Sequence, residues 1–302
     1  MNHRRHRRWP TLLAGLCLTA PAAPSLAQDQ QASRIEPSSR NYLDVEVDGS
    51  PPATERRLQY ALGVALTSAP EYAGSNRRGL SLKPIAAIRY GRFKISSSGG
   101  SSILNYGESA DVGGSGASAD LIDQKRFKLK LSARIGGGRD TADSVDLAGL
   151  PDIDRTVFAR LYVSYDLTEH LNLNSGLTFD LLGHGNGATL SAGLGYTDRL
   201  SSRTEWTTGI GVGWANATHM QSMFGVPASA ATAQRPAYET GAGIKDIGVG
   251  VGIKTALNDN WIAFASTSYA RLLGAAADSP LTTGNGGLSA TIGIGYRCCK
   301  TR

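Results

Sequence analysis

From Leu58 to Tyr296 the chain repeats one texture: large apolar residues alternating with small or polar ones in runs of roughly ten. Leu58, Tyr60, Leu62, Val64 and Leu66 alternate with Gln59, Ala61, Gly63, Ala65 and Thr67. Phe127, Leu129, Leu131, Ala133 and Ile135 alternate with Lys128, Lys130, Ser132, Arg134 and Gly136. The same holds for 157–167, 171–181, 188–196, 206–214, 247–257 and 288–296. Period two with one apolar face specifies strands, and no segment reads as a convincing helix. A soluble sandwich would bury the apolar face and cover the other with charge. Here the second face is often bare glycine, as at Gly209, Gly211 and Gly213, at Gly248, Gly250 and Gly252, and at Gly293 and Gly295. Glycine weakens a strand and is odd on a solvated surface. It makes sense lining the lumen of a closed barrel whose large residues face lipid. The expected fold is therefore all-β, a transmembrane antiparallel up-and-down barrel.

Trp206 and Trp214 stand eight residues apart on one apolar face. At the rise and tilt of a membrane strand they lie roughly 20 Å apart in depth, matching two aromatic girdles. Connections read backward from the C-terminus alternate long and short, with 182–187 intermediate: 274–286, 258–260, 215–243, 198–203, 182–187, 168–169 and 139–154. Long loops face outside and short turns face the periplasm. Eleven strands are clear, and the alternation breaks once, between 93–98 and Phe127. One further strand within 101–122 restores it and brings the count to about twelve.

The formal charge of +6 is concentrated at the front. The first 27 residues hold four of the 31 basic residues and no acid, so 27 basic residues face 25 acidic ones beyond them, a net of +2. Nucleic acid is therefore not an expected partner. Arg4, Arg5, Arg7 and Arg8 precede an apolar run from Thr11 to Ala23, and Ser25-Leu26-Ala27 puts small residues at −3 and −1 before Gln28. This is the layout of a secretory signal peptide over 1–27, cleaved between Ala27 and Gln28. Mass spectrometry of the envelope protein should show Gln28 as the first residue, and an intact Met1 or a lipid on Cys17 would refute cleavage there. Bulky Leu16 stands where a small residue should precede a lipidated cysteine, so lipidation of Cys17 is not expected. Residues 28–57 are polar and aperiodic, a periplasmic linker or a lumen plug, and 58–302 form the barrel. Beyond the N-terminal region no stretch approaches the ~18 apolar residues of a spanning helix. Cys298 and Cys299 are adjacent and bridge one another only through a strained ring, so no disulfide framework is expected.

Chemistry is sparse. The GxGxG strings sit at no strand-to-helix turn, which disfavours a phosphate cradle. His170, His184 and His219 are scattered over turns and loops without metal-ligand spacing. His184, Asp180 and Ser191 form a triad only on paper, since triads are recognised by geometry. No catalytic, cofactor-binding or metal residue is assigned. Inward charges are mixed in sign: Lys128, Lys130, Arg134 and Arg160 against Asp166, Asp180, Glu205 and Asp246. A paired network in the lumen is favoured over an ion-selective pore. These inward groups furnish the early strands, whereas the later strands present glycine, so open volume is expected along the glycine wall.

Several aperiodic strings carry a family resemblance. Pro70-Glu71-Tyr72-Ala73-Gly74-Ser75 resembles the P-x-Y-x-G-S signature of the MipA/OmpV outer-membrane family. Gly138-Arg139-Asp140 with Leu147-Ala148-Gly149-Leu150 is similar to its G-R-D…L-x-G-L stretch. Met223-Phe224-Gly225-Val226 resembles Y-F-G-V, with Met in place of the aromatic. The run from Arg271 and Leu272 through Ala275 to Ser279 and Pro280 is similar to R-L-x-G-D-A-x-x-S-P, with Ala275 in place of Asp. The order matches from about residue 58 to 297. The resemblance implies an outer-membrane barrel of a Gram-negative bacterium with no enzymatic activity and no cofactor. It would act as a scaffold linking a lytic transglycosylase to a peptidoglycan synthase, or alternatively as a narrow porin-like channel. It also implies contact with outer-membrane lipid, and with the barrel-assembly machinery during insertion. The family usually ends in Tyr-Arg-Phe, whereas here Tyr296-Arg297 is followed by Cys298.

Overall fold

The computed structural model describes residues 58–97, 100–104 and 116–299. The signal peptide, its cleavage at Ala27–Gln28 and the 28–57 segment lie outside them. Twelve strands close into one antiparallel barrel: β1 (Leu58–Pro70), β2 (Arg78–Tyr90), β3 (Phe93–Ser96), β4 (Gly116–Asp123), β5 (Phe127–Gly136), β6 (Thr156–Asp166), β7 (Leu171–Asp180), β8 (Ala188–Ser201), β9 (Thr204–Ala215), β10 (Gly243–Ala256), β11 (Trp261–Leu272) and β12 (Gly286–Cys298). Each pairs with its sequence neighbours, and β1 pairs with β12 to close the ring. β4 is the strand that the loop alternation demanded, shifted toward the end of the expected window.

The two faces separate as the period-two pattern requires. Leu62, Ile135 and Ile292 face outward with 55%, 68% and 62% of their surface exposed, while inward Ala61 has 0%. Outward apolar residues this exposed are paid for by lipid, not water. Aromatic residues gather toward the short-turn end, where Tyr196 lies 5.6 Å from Trp206, Trp261 5.6 Å from Tyr296, and Tyr60 6.5 Å from Tyr296. Trp214, Tyr269 and Phe179 stand on the outer face toward the long-loop end.

Helices do occur, contrary to the sequence reading, and all lie in the long connections. They are α1 (Gly100–Leu104), α2 (Ala217–Phe224) and α3 (Gly274–Ala277). α2 forms because Asn216 caps it: its side-chain oxygen accepts from the amides of His219 at 2.9 Å and Ala188 at 3.0 Å. Met220 and Phe224, four residues apart, then bury one face.

The wall is not of even height. β3 is four residues long, so of β2 it covers only Ala87–Tyr90. Ser97 continues that edge briefly, its hydroxyl accepting from Ala86 N at 2.7 Å and donating to the Pro84 carbonyl at 3.3 Å. Among the described residues, Arg78–Ile85 of β2 pairs only with β1. Pro84 therefore points its missing N–H at the unpaired side, where a strand tolerates proline.

At the other terminus the structure joins Cys298 to Cys299, a bridge the sequence had argued against. The bond closes a ring within the tail and ties no two strands together, so no disulfide framework results. Cys298 pairs with Tyr60 in the girdle at the short-turn end. Cys298→Phe adds a ring where girdles favour one, so the folded, heat-modifiable fraction should stay equal or rise; a fall would mean that the tail needs its cysteines.

Candidate functional site

Strings far apart in sequence meet above the barrel mouth. Tyr72 of the 71–77 loop, Leu147 and Leu150 of 137–155, Val226 of 216–242 and Leu281 of 273–285 form one buried cluster. Beside it, Ala215, Met220, Phe224, Leu272 and Ala276 form a second. Hydrogen bonds lock the four loops together. The Tyr72 hydroxyl donates to the Leu281 carbonyl at 2.9 Å, and the Ser279 hydroxyl donates to the Phe224 carbonyl at 2.6 Å while accepting from Leu281 N at 3.1 Å. Gly74 adopts φ +96°, a conformation other residues resist, which turns its carbonyl toward Thr283 N and Gly284 N at 2.8 and 2.9 Å. The Gly138 amide donates to Asn186 Oδ1 at 2.8 Å, and Asp140 Oδ1 accepts from Ala142 N at 2.9 Å. Arg139 is buried and donates to the carbonyls of Ser222 at 3.0 Å and Pro151 at 3.1 Å. Val226 pairs with Tyr238 in a two-residue bridge next to Gly225. Pro70 ends β1 where this cap begins, and Pro280 follows Ser279 within it. Arg271 departs from the group, because it stands exposed on the outer face of β11.

Below the cap the chain enters the lumen. After β3 it turns inward, and α1 sets Ile103 and Leu104 against Ala61 and Ala65 of β1, Ile85 and Ala87 of β2, and Ile262 of β11. Gly295 admits this packing: a Cβ there would come 2.4 Å from Ile103 Cδ1. The glycine wall thus receives α1, a feature no sequence signal announced. Phe264 lies across Gly293 in the same way. Inward charges of neighbouring strands pair, Lys130 with Asp120 at 3.4 Å, Lys128 with Asp123 at 3.9 Å and Lys254 with Glu205 at 3.8 Å, and within β10 Lys245 pairs with the adjacent Asp246. Lys245 reaches the lumen through a bulge, because the register shifts between Ile244 and Asp246 and both Lys245 and Asp246 are buried side by side.

A cleft of about 610 Å³, counting its open side, sits under α2 against the furnished half and is lined in part by Arg134, Phe158, Arg160, Thr178 and Lys245. The paper triad does not assemble. His184 Nδ1 meets the Arg155 carbonyl at 2.6 Å, the Ser191 hydroxyl donates to Gly176 O at 3.3 Å, and Asp180 binds Thr156 and the amides of Leu182, Gly183 and Asn186. Among the described residues, no three His, Cys, Asp or Glu side chains group as metal ligands.

His219 is the titratable group most altered by the cap. Burial and the nearby Lys245 ammonium lower its pKa from 6.5 to about 4, against the opposing pull of Asp246 and of the Asn186 carbonyl 2.8 Å from Nδ1. Undocked, the imidazole takes a proton near pH 6.5; docked, only near 4. Docking is therefore fully stable above pH 6.5 and weakens as pH falls toward 4, by roughly a few kcal/mol. Proteolysis of the 216–242 loop should accelerate across that window, and His219→Gln should flatten the dependence. An unchanged rate from pH 7 to 4.5 would refute it.

The sequence matches the family model described as MltA-interacting protein MipA over residues 62–298. The chain belongs to the MipA family. The family's motif strings are thus largely the outer cap of this MipA-family barrel. Comparison with curated proteins found no match. Among solved structures the barrel is similar to a KdgM porin (10% identity, TM-score 0.34, covering 79% of this chain and 97% of that one). It is also similar to an outer membrane channel from Pseudomonas putida F1 (12%, 0.38, 83% and 99%) and to the translocator domain of the autotransporter NalP from Neisseria meningitidis (12%, 0.35, 81% and 90%). At such scores they carry no argument about function, and the twelve-stranded outer-membrane barrel stands on its own strand pairing and its family.

Proposed function

We propose that this protein is a non-enzymatic scaffold of the Gram-negative outer membrane, holding a lytic transglycosylase and a peptidoglycan synthase at its periplasmic face. The observation that carries the reading is the occupied lumen: α1 packs across the inward alanines and glycines on one side, and four loops interlock over the outer mouth. A barrel built to conduct needs neither. The family description, an MltA-interacting protein, favours protein partners. The periplasmic turns offer them short, exposed charges at Arg92, Lys125, Arg126, Glu169, Arg203 and Asp259. The cap, where the motif strings sit, would then hold the barrel shut and not touch the partners.

Affinity capture from solubilised envelopes with the full-length barrel as bait tests this directly. The expected result is co-capture of both enzymes by a barrel that is silent in planar bilayers. Steady single-channel current without either enzyme would overturn the scaffold in favour of a narrow channel. The cleft under α2 is the observation on that side.

A further inference from the structure

Arg271, the motif residue that stands apart from the cap, faces outward on β11. It lies ten residues beyond Trp261 on the same face, roughly 26 Å away in depth at the rise and tilt of a membrane strand. The apolar band of such a barrel is about 25 Å tall, so Arg271 meets the membrane at its outer headgroup level. Arg78 opens β2 at the same height, opposite Pro70, which stands ten residues beyond Tyr60 on β1. Its side chain lies across β1: Nη1 donates to the Leu288 carbonyl of β12 at 2.6 Å, and Nη2 donates to the Ser68 hydroxyl at 3.0 Å. Gly286, two residues before Leu288, faces Arg271 across the β11–β12 pair. A Cβ on Gly286 would collide with the Tyr269 hydroxyl. Tyr269 itself faces Leu288, so its ring leans up the wall to the row that holds Arg271.

A charge on the lipid face is costly within the apolar band and tolerated only at its edge. There the planar N–H fork of a guanidinium matches a phosphate with two parallel hydrogen bonds. Among the described residues neither Arg78 nor Arg271 pairs with a carboxylate. The two bonds of Arg78 leave three of its five N–H groups over. Toward the membrane centre the same face continues as exposed Leu80, Leu82, Leu288 and Ile292. A free anion gains nothing from that apolar wall, whereas a lipid uses both parts. We propose that Arg78, Arg271 and the Tyr269 hydroxyl bind the phosphate headgroup of an anionic lipid in the outer leaflet, its acyl chains lying along those four side chains. The site is independent of what the barrel does at its periplasmic face.

Native mass spectrometry of the folded full-length barrel in neutral detergent tests this, with phosphatidylglycerol and phosphatidylcholine of identical chains titrated in. The second lipid is the control, because its own ammonium neutralises its phosphate. The expected result is preferential retention of phosphatidylglycerol by the parent and about tenfold weaker binding of it in Arg271→Gln, the scale of one charge-assisted contact. Arg78→Gln should act alike and keeps the test open should Arg271→Gln fail to give a heat-modifiable barrel. Gly286→Val keeps every charge but pushes the Tyr269 hydroxyl aside, so it should also weaken binding. Arg155→Gln removes an exposed arginine just before β6, halfway around the ring, and should change nothing. Equal retention of the two lipids by the parent overturns the proposal. So does an equal loss in Arg155→Gln, which would mark diffuse attraction to a positive rim. Displacement of the lipid by equimolar inorganic phosphate would also overturn it, since the site would then take a free anion.

Discussion

Replacing Ile103 and Leu104 together by serine should raise the conductance of the barrel in planar bilayers at least tenfold. The two side chains are 1% and 3% exposed and hold α1 against the inward face of β1, β2 and β11. Fully burying an isoleucine or leucine contributes about 1.5–3 kcal/mol, so the pair supplies roughly 3–6 kcal/mol to docking. A loss of that size is comparable with the ~5.5 kcal/mol that inverts a 99:1 equilibrium, which is why the double change is expected to release α1 from the wall. The strands themselves stay intact, because α1 contributes no ladder hydrogen bond. Recordings no different from those of the parent would mean that something other than α1 closes the lumen.

Arg139→Gln should loosen the outer cap by roughly 3–5 kcal/mol without unfolding the strands. The guanidinium is buried and donates to two carbonyls, Ser222 at the end of α2 and Pro151 in its own loop. Burial and the neighbouring Arg235 lower its pKa, but an arginine stays charged. Each hydrogen bond from a charged group is worth about 1.5–3 kcal/mol, and the two stranded carbonyls add their own penalty. Limited proteolysis should nick 137–155 and 216–242 far faster in the variant, with heat modifiability retained. Arg139→Lys should recover part of the protection, since one ammonium can reach only part of what the fork spans. Equal nicking of Arg139→Gln and the parent would show that the apolar clusters hold the cap unaided.

The barrel wall was legible in the sequence because its physics is local and periodic. Within the strands from Phe127 to Tyr296 most inward and outward positions follow from counting by two, and the parity of long and short loops located β4 before any strand signal did. What escaped had no period. α1 is five residues long and is defined by what it touches, not by its own pattern. Lys245 was missed because the alternation places it outward, and only the bulge turns it in. α2 carried a usable signal in Asn216, the Met220–Phe224 spacing and Gly225, but it lay within a loop too long to read. Pro84 offered another, since a proline inside a strand marks an edge. The motif strings were found in sequence as family marks, and their convergence on one cap is a tertiary fact that no spacing encodes. The same limit applies to Gly295, one position of the glycine wall, where Ile103 lands.

The closing pair, β1 with β12, sets a kinetic problem that the hairpins do not. Thr67 and Thr291 touch at 3.1 Å across a separation of 224 residues, whereas hairpin partners are tens of residues apart at most. Loop-closure entropy grows as the logarithm of that separation, so joining the ends costs roughly 2–3 kcal/mol more than closing a ten-residue hairpin. Contact order this high slows folding. The contact that must overcome it is made largely of backbone: Gly63 faces Gly295, and a Cβ on Gly63 would sit 2.4 Å from the Ile294 carbonyl. Two strand edges with so few inward side chains can zip without first ordering rotamers. The closure that spans the longest stretch of chain is thereby one with little side-chain entropy to lose.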